Sequence, residues 1–393
     1  MPIIPAIAAL HAEMADWRRD LHAHPETAFE EHRTAGMIAE KLTEWGIEVH
    51  CGIGGTGVVG VLRNGEQGRR IGLRADMDAL AIAEGNTFSH ASRYSGKFHG
   101  CGHDGHVAML LGAARYLAAT RRFSGTVVFI FQPAEEGQGG ARKMLADGLF
   151  DRFPCDEIYA MHNRPTMPLG QIAVLSGPVM AAADEFRAHI TGRGGHAANP
   201  HLCVDPVVAA AHLVTAWQPL VSRRTDPLDA VVISVTEMHA GNTFNVIPAE
   251  AFLGGTARSH RAETRERLSV EMAEVAHGIA RAFGVEIAFD YLRGYPATVN
   301  HQTEAVIAAA AARLVVGDGN VRSDLPPAMG AEDFAYMLEA RPGAYIWVGQ
   351  AAEPGGRGAC SLHSPNYDFN DDVLPIGASL FATLVEMSRQ PER

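Results

Sequence analysis

Between Phe98 and Leu111 the sequence reads FHGCGHDGHVAMLL, three histidines, a cysteine and an aspartate followed at once by an apolar run. Cys101 and His103 stand two apart on a glycine-flanked segment read as non-helical, and in an extended chain residues i and i+2 face the same side. Thiolate with imidazole is a donor pair for zinc or a similar transition ion, whereas magnesium and calcium take oxygen ligands. Taken alone, the pair reads more often as a buried thiol beside a surface imidazole. Glu135 and Glu136 follow the apolar run VVFIFQPA. Neighbouring side chains cannot point the same way, so one carboxylate is available to a metal and the other to a proton of metal-bound water. The competing reading of Glu-Glu-Gly is a solvated turn. Asp76 and Asp78 follow IGLRA, His162 follows IYAM, and His363 lies in the turn-rich SLHSPNYDFND, where by itself it reads as a surface histidine.

What sets these residues apart is that several come directly after strand-like runs. TGVVGVL from Thr56, RIGLRAD from Arg70, GTVVFIF from Gly125 and EIYAMH from Glu157 are short and β-branched, with VAMLLGAARYLAAT between the second and third as a helix. Alternating strands and helices predict an α/β layer on a largely parallel sheet, and such sheets bind ligands at the carboxyl ends of their strands. One site can then collect groups from distant parts of the chain. Ahead of the sheet, Ala6 to Trp45 carries helical periodicity broken at Pro25. From about Asp184 the texture changes to strand, helix, two strands and a second helix, an α+β unit ending near VEIAFDYLRGYP. The expected division is a discontinuous main domain, residues 1–184 and 298–393, with a smaller domain, 185–297, inserted in it.

Composition narrows the function classes. The 393 residues are 47% hydrophobic and 20% charged, the balance of a globular enzyme-sized protein with two domains. Forty-five acids against 33 bases give a net charge of −12, and the basic pairs are scattered, which argues against a nucleic-acid partner. The N-terminal stretch has neither the basic lead nor the apolar length of a signal peptide or membrane span, so a cytoplasmic location is expected. Five widely spaced cysteines read as reduced thiols.

In order along the chain, WRRDLHAHPETAFEE, RADMDAL, HGCGHDGH, QPAEEG, MHN, GRGGHAANPH, NVIPAEA, GTARS, MGAEDF and LHSPNYDFND together resemble the amidohydrolase branch of the M20 metallopeptidases. This resemblance implies a di-metal peptidase-like catalytic domain, a central mostly parallel sheet flanked by helices, with an inserted ferredoxin-like lid or dimerisation domain. It implies that Cys101, His103, Glu136, His162 and His363 hold two divalent ions, zinc, manganese, cobalt or nickel. Cys101 would bridge them, with His103 and His162 on one ion and Glu136 and His363 on the other. Glu135 would be the general base, His196 a donor to the oxyanion, in its own or a neighbouring subunit, and Asn245 and Arg258 the receptors of a substrate carboxylate. Asp78 occupies the place of a metal-site aspartate, while Asp76 stands where relatives often carry a ligand histidine. Both aspartates are therefore read as orienting imidazoles, with Glu332 and Asp333 as weaker partners. Domain closure about Ala183–Glu185 and Pro296–Val299 would assemble the site, and the exposed strands of the inserted domain would pair subunits into a dimer or a dimer of dimers. AIAEGN after RADMDAL, without the proline common there, and FHGC for the more usual MHAC, bear on substrate preference.

The implied reaction is hydrolysis of N-acyl or N-aroyl amino acids, hippurate-like or N-acetylated, with no membrane involved. A dipeptidase or carboxypeptidase of the same fold would need an acidic pocket for a free amine. A metal- and ligand-binding relative without catalysis would have no use for Glu135. A cysteine-nucleophile hydrolase using Cys101 would ignore chelators.

Overall fold

A computed structural model describes residues 3–65, 67–352 and 358–387. The chain divides into two compact units, one of Met1–Val179, Val299–Pro326 and Asp333–Arg393, the other of Met180–Thr298 and Pro327–Glu332.

The first unit is built on a sheet in which eight described strands pair. Its leading strands are β1 (Glu48–Ile53), β2 (Gly57–Asn64), β3 (Arg70–Asp76), β4 (Gly125–Gln132) and β5 (Glu157–Pro168). The order is β1, β2, β4, β3, β5, then Gly343–Ala351, Ile172–Ala173 and Val321–Arg322. The centre, from β4 through β3 and β5 to Gly343–Ala351, is parallel, and β1 and β2 run antiparallel at one side. Near-continuous apolar runs such as Val127–Phe131 and Ile71–Leu73 are what a strand buried on both faces requires. The core joins them to α2 (His11–Ala23, after the short α1, Pro5–Ala8), α3 (His32–Glu44), α4 (His103–Thr120) and the helix Leu374–Met387.

Register brings the chemistry to one edge. Asp76 pairs with Gln132 across β3 and β4, and Arg74 pairs with Ala160 across β3 and β5, which sets His162 level with Asp76. The segments leaving β3 and β4 and the body of β5 thus deliver Asp76, Asp78, Glu135, Glu136 and His162 side by side, at the carboxyl ends of parallel strands.

The second unit has the strand and helix order βαββαβ of a ferredoxin-like fold. Its antiparallel sheet runs Val231–Ala240, Glu250–Ser259, Ala182–Thr191, Glu286–Tyr295, and the helices Pro206–Ser222 and Ala262–Phe283 bury Leu213, Trp217, Leu268 and Met272 against Phe186 and Leu253. Asp205 caps the first helix through the Val207 amide, with Pro206 in the position where a missing N–H costs nothing. Asp184 is buried and accepts from the Arg265 guanidinium (2.6 and 2.9 Å), the Tyr291 hydroxyl (2.8 Å) and the Gly294 amide (3.0 Å). Residues 327–332, which the sequence places with the main domain, go with the second unit because the Ala181 amide donates to Ala328 and Gly330 and His260 bonds the Ala328 carbonyl. No described helix is long and apolar enough to cross a membrane.

Candidate metal centre

α4 begins at His103, not after it, so the segment expected to be extended turns into a helix between Cys101 and His103. The turn is made by Gly102 at φ +94, where a Cβ would sit 2.5 Å from the Tyr367 hydroxyl and 2.6 Å from Asn163 Oδ1. No other residue has both the backbone freedom and the room. His103 Nδ1 bonds the Asp78 carbonyl (2.9 Å), which in the neutral ring leaves Nε2 as the lone-pair nitrogen. That Nε2 is buried without a hydrogen-bond partner, 3.7 Å from Asp76 Oδ2 and 3.9 Å from Glu136 Oε1. His162 is fixed the same way, Nδ1 on the Asn163 carbonyl (2.8 Å) and Nε2 3.4 Å from Cys101 Sγ. His363 sits in the left-handed region at φ 63, its amide donates to the Gly100 carbonyl (2.8 Å), and its Nε2 lies 3.3 Å from Glu136 Oε1.

Two groups of donor atoms result, Cys101 with His103 and His162, and Cys101 with Glu136 and His363; within each, all atoms lie within 4.8 Å of one another. Cys101 belongs to both. Buried polar atoms nearly always have partners, so the orphaned Nε2 of a fully buried histidine, facing a thiol and a carboxylate, is the arrangement a transition-metal cation fits.

The loop after β4 presents the two glutamates. Ala134 takes φ +53, and three successive amides are gripped by two carboxylates: Ala134 N donates to Glu31 Oε1 (2.9 Å), Glu135 N to Asp78 Oδ1 and Glu136 N to Asp78 Oδ2 (3.0 Å each). Glu31 is buried and also accepts from the Thr56 hydroxyl at 2.5 Å. Glu136 reaches His363, while Glu135, 7% exposed, adjoins His103 and Glu136 but belongs to neither Cys101-centred group.

The local field is negative. Hydrogen bonds to Cys101 and Glu136 raise the His363 imidazole to about 10. Burial opposes charge on His103, but the Asp76 carboxylate and Cys101 outweigh it and hold that imidazole well above its ordinary value. Burial, then the Glu136 charge, pushes the Cys101 thiol up. A negative field that draws protons to these imidazoles also favours a dication among the same donors. Behind them, Asp104, next to His103, accepts from His22 Nδ1 (2.8 Å), and Arg18, also buried, bonds Asp371 (2.8 Å) and Asp368 (3.2 Å) beyond His363.

The hydrogen bond between Asp78 and His103 is accepted by the Asp78 main-chain carbonyl, while the Asp78 carboxylate holds the glutamate loop. Asp76 orients a histidine outside the expected donors: its Oδ1 lies 2.6 Å from His106 Nδ1, and Arg74 donates to its Oδ2 (2.8 Å). His106 went unassigned because the helix was expected to start at Val107; starting at His103 puts His106 one turn on, facing Asp76 and Asn163 Oδ1 (2.7 Å). Asp333 accepts from Gln132 (2.7 Å) and the Ala141 amide (2.8 Å), and Glu332 falls in the second unit. In that unit His196 is exposed on the strand Gly195–His196, paired with Val246–Ile247. The Ala197 amide donates to the Asn245 carbonyl (3.0 Å), so His196 and Asn245 are neighbours. Arg258 lies on the strand Glu250–Ser259, where its Nε donates to the Thr256 hydroxyl (3.0 Å). No spacing signal announced Glu31, whose partner is 103 residues away.

Residues 72–387 match peptidase family M20/M25/M40. Hippurate hydrolase of Campylobacter jejuni is 38% identical over 98% of both chains, and IAA-amino acid hydrolase ILR1-like 2 of Arabidopsis thaliana is 41% identical over 95% of this chain and 85% of its own. Among solved structures, a Bacillus subtilis protein described as a dinuclear metal binding peptidase of the M20 family superposes with a TM-score of 0.84 at 34% identity, covering 97% of this chain and 99% of that one. With that family's fold across nearly its whole length, the chain belongs to peptidase family M20 and is a hydrolase of its amidohydrolase branch.

Proposed function

We propose that the protein hydrolyses the amide bond of N-acyl or N-aroyl amino acids, with two divalent ions, zinc, manganese, cobalt or nickel, held by Cys101, His103, Glu136, His162 and His363. Bound ions of this kind supply an acidified water and a polarised carbonyl. Glu135 accepts the water's proton on its carboxylate and returns it to the nitrogen of the departing amine. His196 donates to the carbonyl oxygen as charge builds there, and Asn245 and Arg258 receive the α-carboxylate. The observation that carries this reading is Glu135 itself, a nearly buried carboxylate fixed through its amide by Asp78, beside the donor atoms and outside both Cys101-centred groups. The names of the relatives, hippurate hydrolase and IAA-amino acid hydrolase, point to the same substrate class. We further propose a cytoplasmic homodimer formed through the second unit.

The test is turnover of hippurate, N-acetyl-amino acids and indole-acetyl conjugates by metal-stripped protein with each divalent ion restored. Glu135→Gln is expected to lower kcat by about 10²–10⁴ while metal content stays unchanged. Full activity in that variant, or turnover indifferent to chelation, refutes the mechanism.

A further inference from the structure

Arg164 follows the metal-donor histidine of β5 by two residues and so shares its face of the sheet. Trp347 pairs in register with His162, and its ring serves both neighbours: it lies edge-on to the His162 ring at 5.7 Å, and the Arg164 guanidinium lies over it at 5.2 Å. One indole therefore separates the guanidinium from the donor cluster. Across from Arg164 the partner strand carries Gly349, with no side chain to answer the charge. The guanidinium makes one weak bond, Nε to the Thr166 hydroxyl at 3.3 Å; Nη1 is buried with no partner, and no carboxylate among the described residues reaches it. Among the described residues of this unit, the fully buried arginines, Arg18 and Arg74, are each met by two or more aspartates, and half-buried Arg121 is held by the Ala118 and Arg63 carbonyls; the Arg164 fork has neither. A half-buried guanidinium without a counter-ion, lying over an aromatic ring, has the geometry of an anion receptor.

We infer that Arg164, backed by Trp347, receives a second carboxylate on the substrate, so that the preferred substrates are dianionic N-acyl amino acids. This rests on the proposed amide hydrolysis, in which the α-carboxylate is already assigned to Asn245 and Arg258. The additional carboxylate comes either from a dicarboxylic acyl group or from an acidic side chain.

Two matched pairs separate those sources: N-succinyl-leucine against N-succinamoyl-leucine, and N-acetyl-glutamate against N-acetyl-glutamine. The wild-type protein is expected to favour the charged member of at least one pair in kcat/KM, and Arg164→Gln to shrink that ratio by about tenfold or more, as loss of a charge-assisted bond does. Arg164→Lys keeps the charge without the planar fork and should fall between. Binding of the same pairs to the Glu135→Gln protein, with and without Arg164→Gln, is measured by calorimetry and does not depend on turnover. A charged-to-neutral ratio that Arg164→Gln leaves unchanged in both pairs overturns the inference. Loss of charge selectivity in binding without hydrolysis of any compound keeps the anion receptor and overturns the amide hydrolysis instead.

Discussion

Glu31→Ala removes a side chain that touches neither the donor atoms nor Glu135, yet it is expected to slow the reaction. Glu31 holds the Ala134 amide at 2.9 Å, and Ala134 occupies the left-handed region at φ +53, immediately before the base. An alanine there costs about 1–2 kcal/mol. The carboxylate opposes that cost, and without it the peptide is free to relax and carry Glu135 away from the donor cluster. Two buried groups, the Ala134 amide and the Thr56 hydroxyl, also lose a partner, at about 1–3 kcal/mol each in stability. We expect kcat to fall about 10- to 100-fold, the scale of an ångström's misplacement of a catalytic group. Adding Ala134→Gly removes the left-handed strain and should return about five- to tenfold of the lost kcat, with no matching return of thermal stability. Burial pushes the Glu31 carboxyl up against the opposing Thr56 bond, so a neutral amide is a modest change and Glu31→Gln should stay within a few-fold of wild type. The assays are steady-state kcat, thermal melting and metal content on the four proteins. A Glu31→Ala protein with undiminished kcat, or a double variant no faster than the single, refutes the reasoning.

Three further outcomes follow from the geometry. His363→Ala, which removes a donor from one Cys101-centred group, is expected to leave one tightly held ion per chain, whereas Cys101→Ala weakens both; elemental analysis after dialysis that finds both ions in His363→Ala would contradict this. Burial disfavours the charge on His22, but Asp104 and Glu84 outweigh it and raise the imidazole from 6.5 to about 9. Its contribution to stability is therefore complete below pH 6.5 and disappears as the pH rises through about 9; denaturant midpoints across that window should fall in the wild type and flatten in His22→Asn. Asp184→Ala leaves the Arg265 guanidinium without its carboxylate in a largely buried site and should destabilise the protein by about 3–5 kcal/mol, against less than half of that for Asp184→Asn; equal unfolding midpoints in all three would show the clamp to be idle.

The central strands were legible because burial on both faces demands apolar runs, and β2, β3 and β4 fall within two residues of those runs. β1 was not: EVHCGI has no periodicity, and the segment becomes a strand because β2 offers it an antiparallel edge from Glu48 to Ile53. Donor types could be read from Cys101, His103 and the paired glutamates, since thiol, imidazole and carboxylate announce their chemistry. Position could not. That Asp76 meets both His103 and His106 depends on where α4 starts, and that depends on the left-handed turn at Gly102, which a glycine permits without dictating. Long-range grips such as Glu31 on Ala134 or Arg18 on Asp371 leave no local pattern, because their partners meet only once the sheet has formed.

The bond from the His363 amide to the Gly100 carbonyl also bears on the order in which the protein is made. A chain leaving the ribosome presents Cys101, His103, Glu136 and His162 early, then the whole of the second unit, and only afterwards His363. The Cys101–His103–His162 group is complete at that early stage, whereas the group that needs Glu136 and His363 must wait for the tail to return across the first unit. On the proposed ligand set, the two ions would therefore be taken up in that order, and hydrolysis would wait for the tail that carries His363.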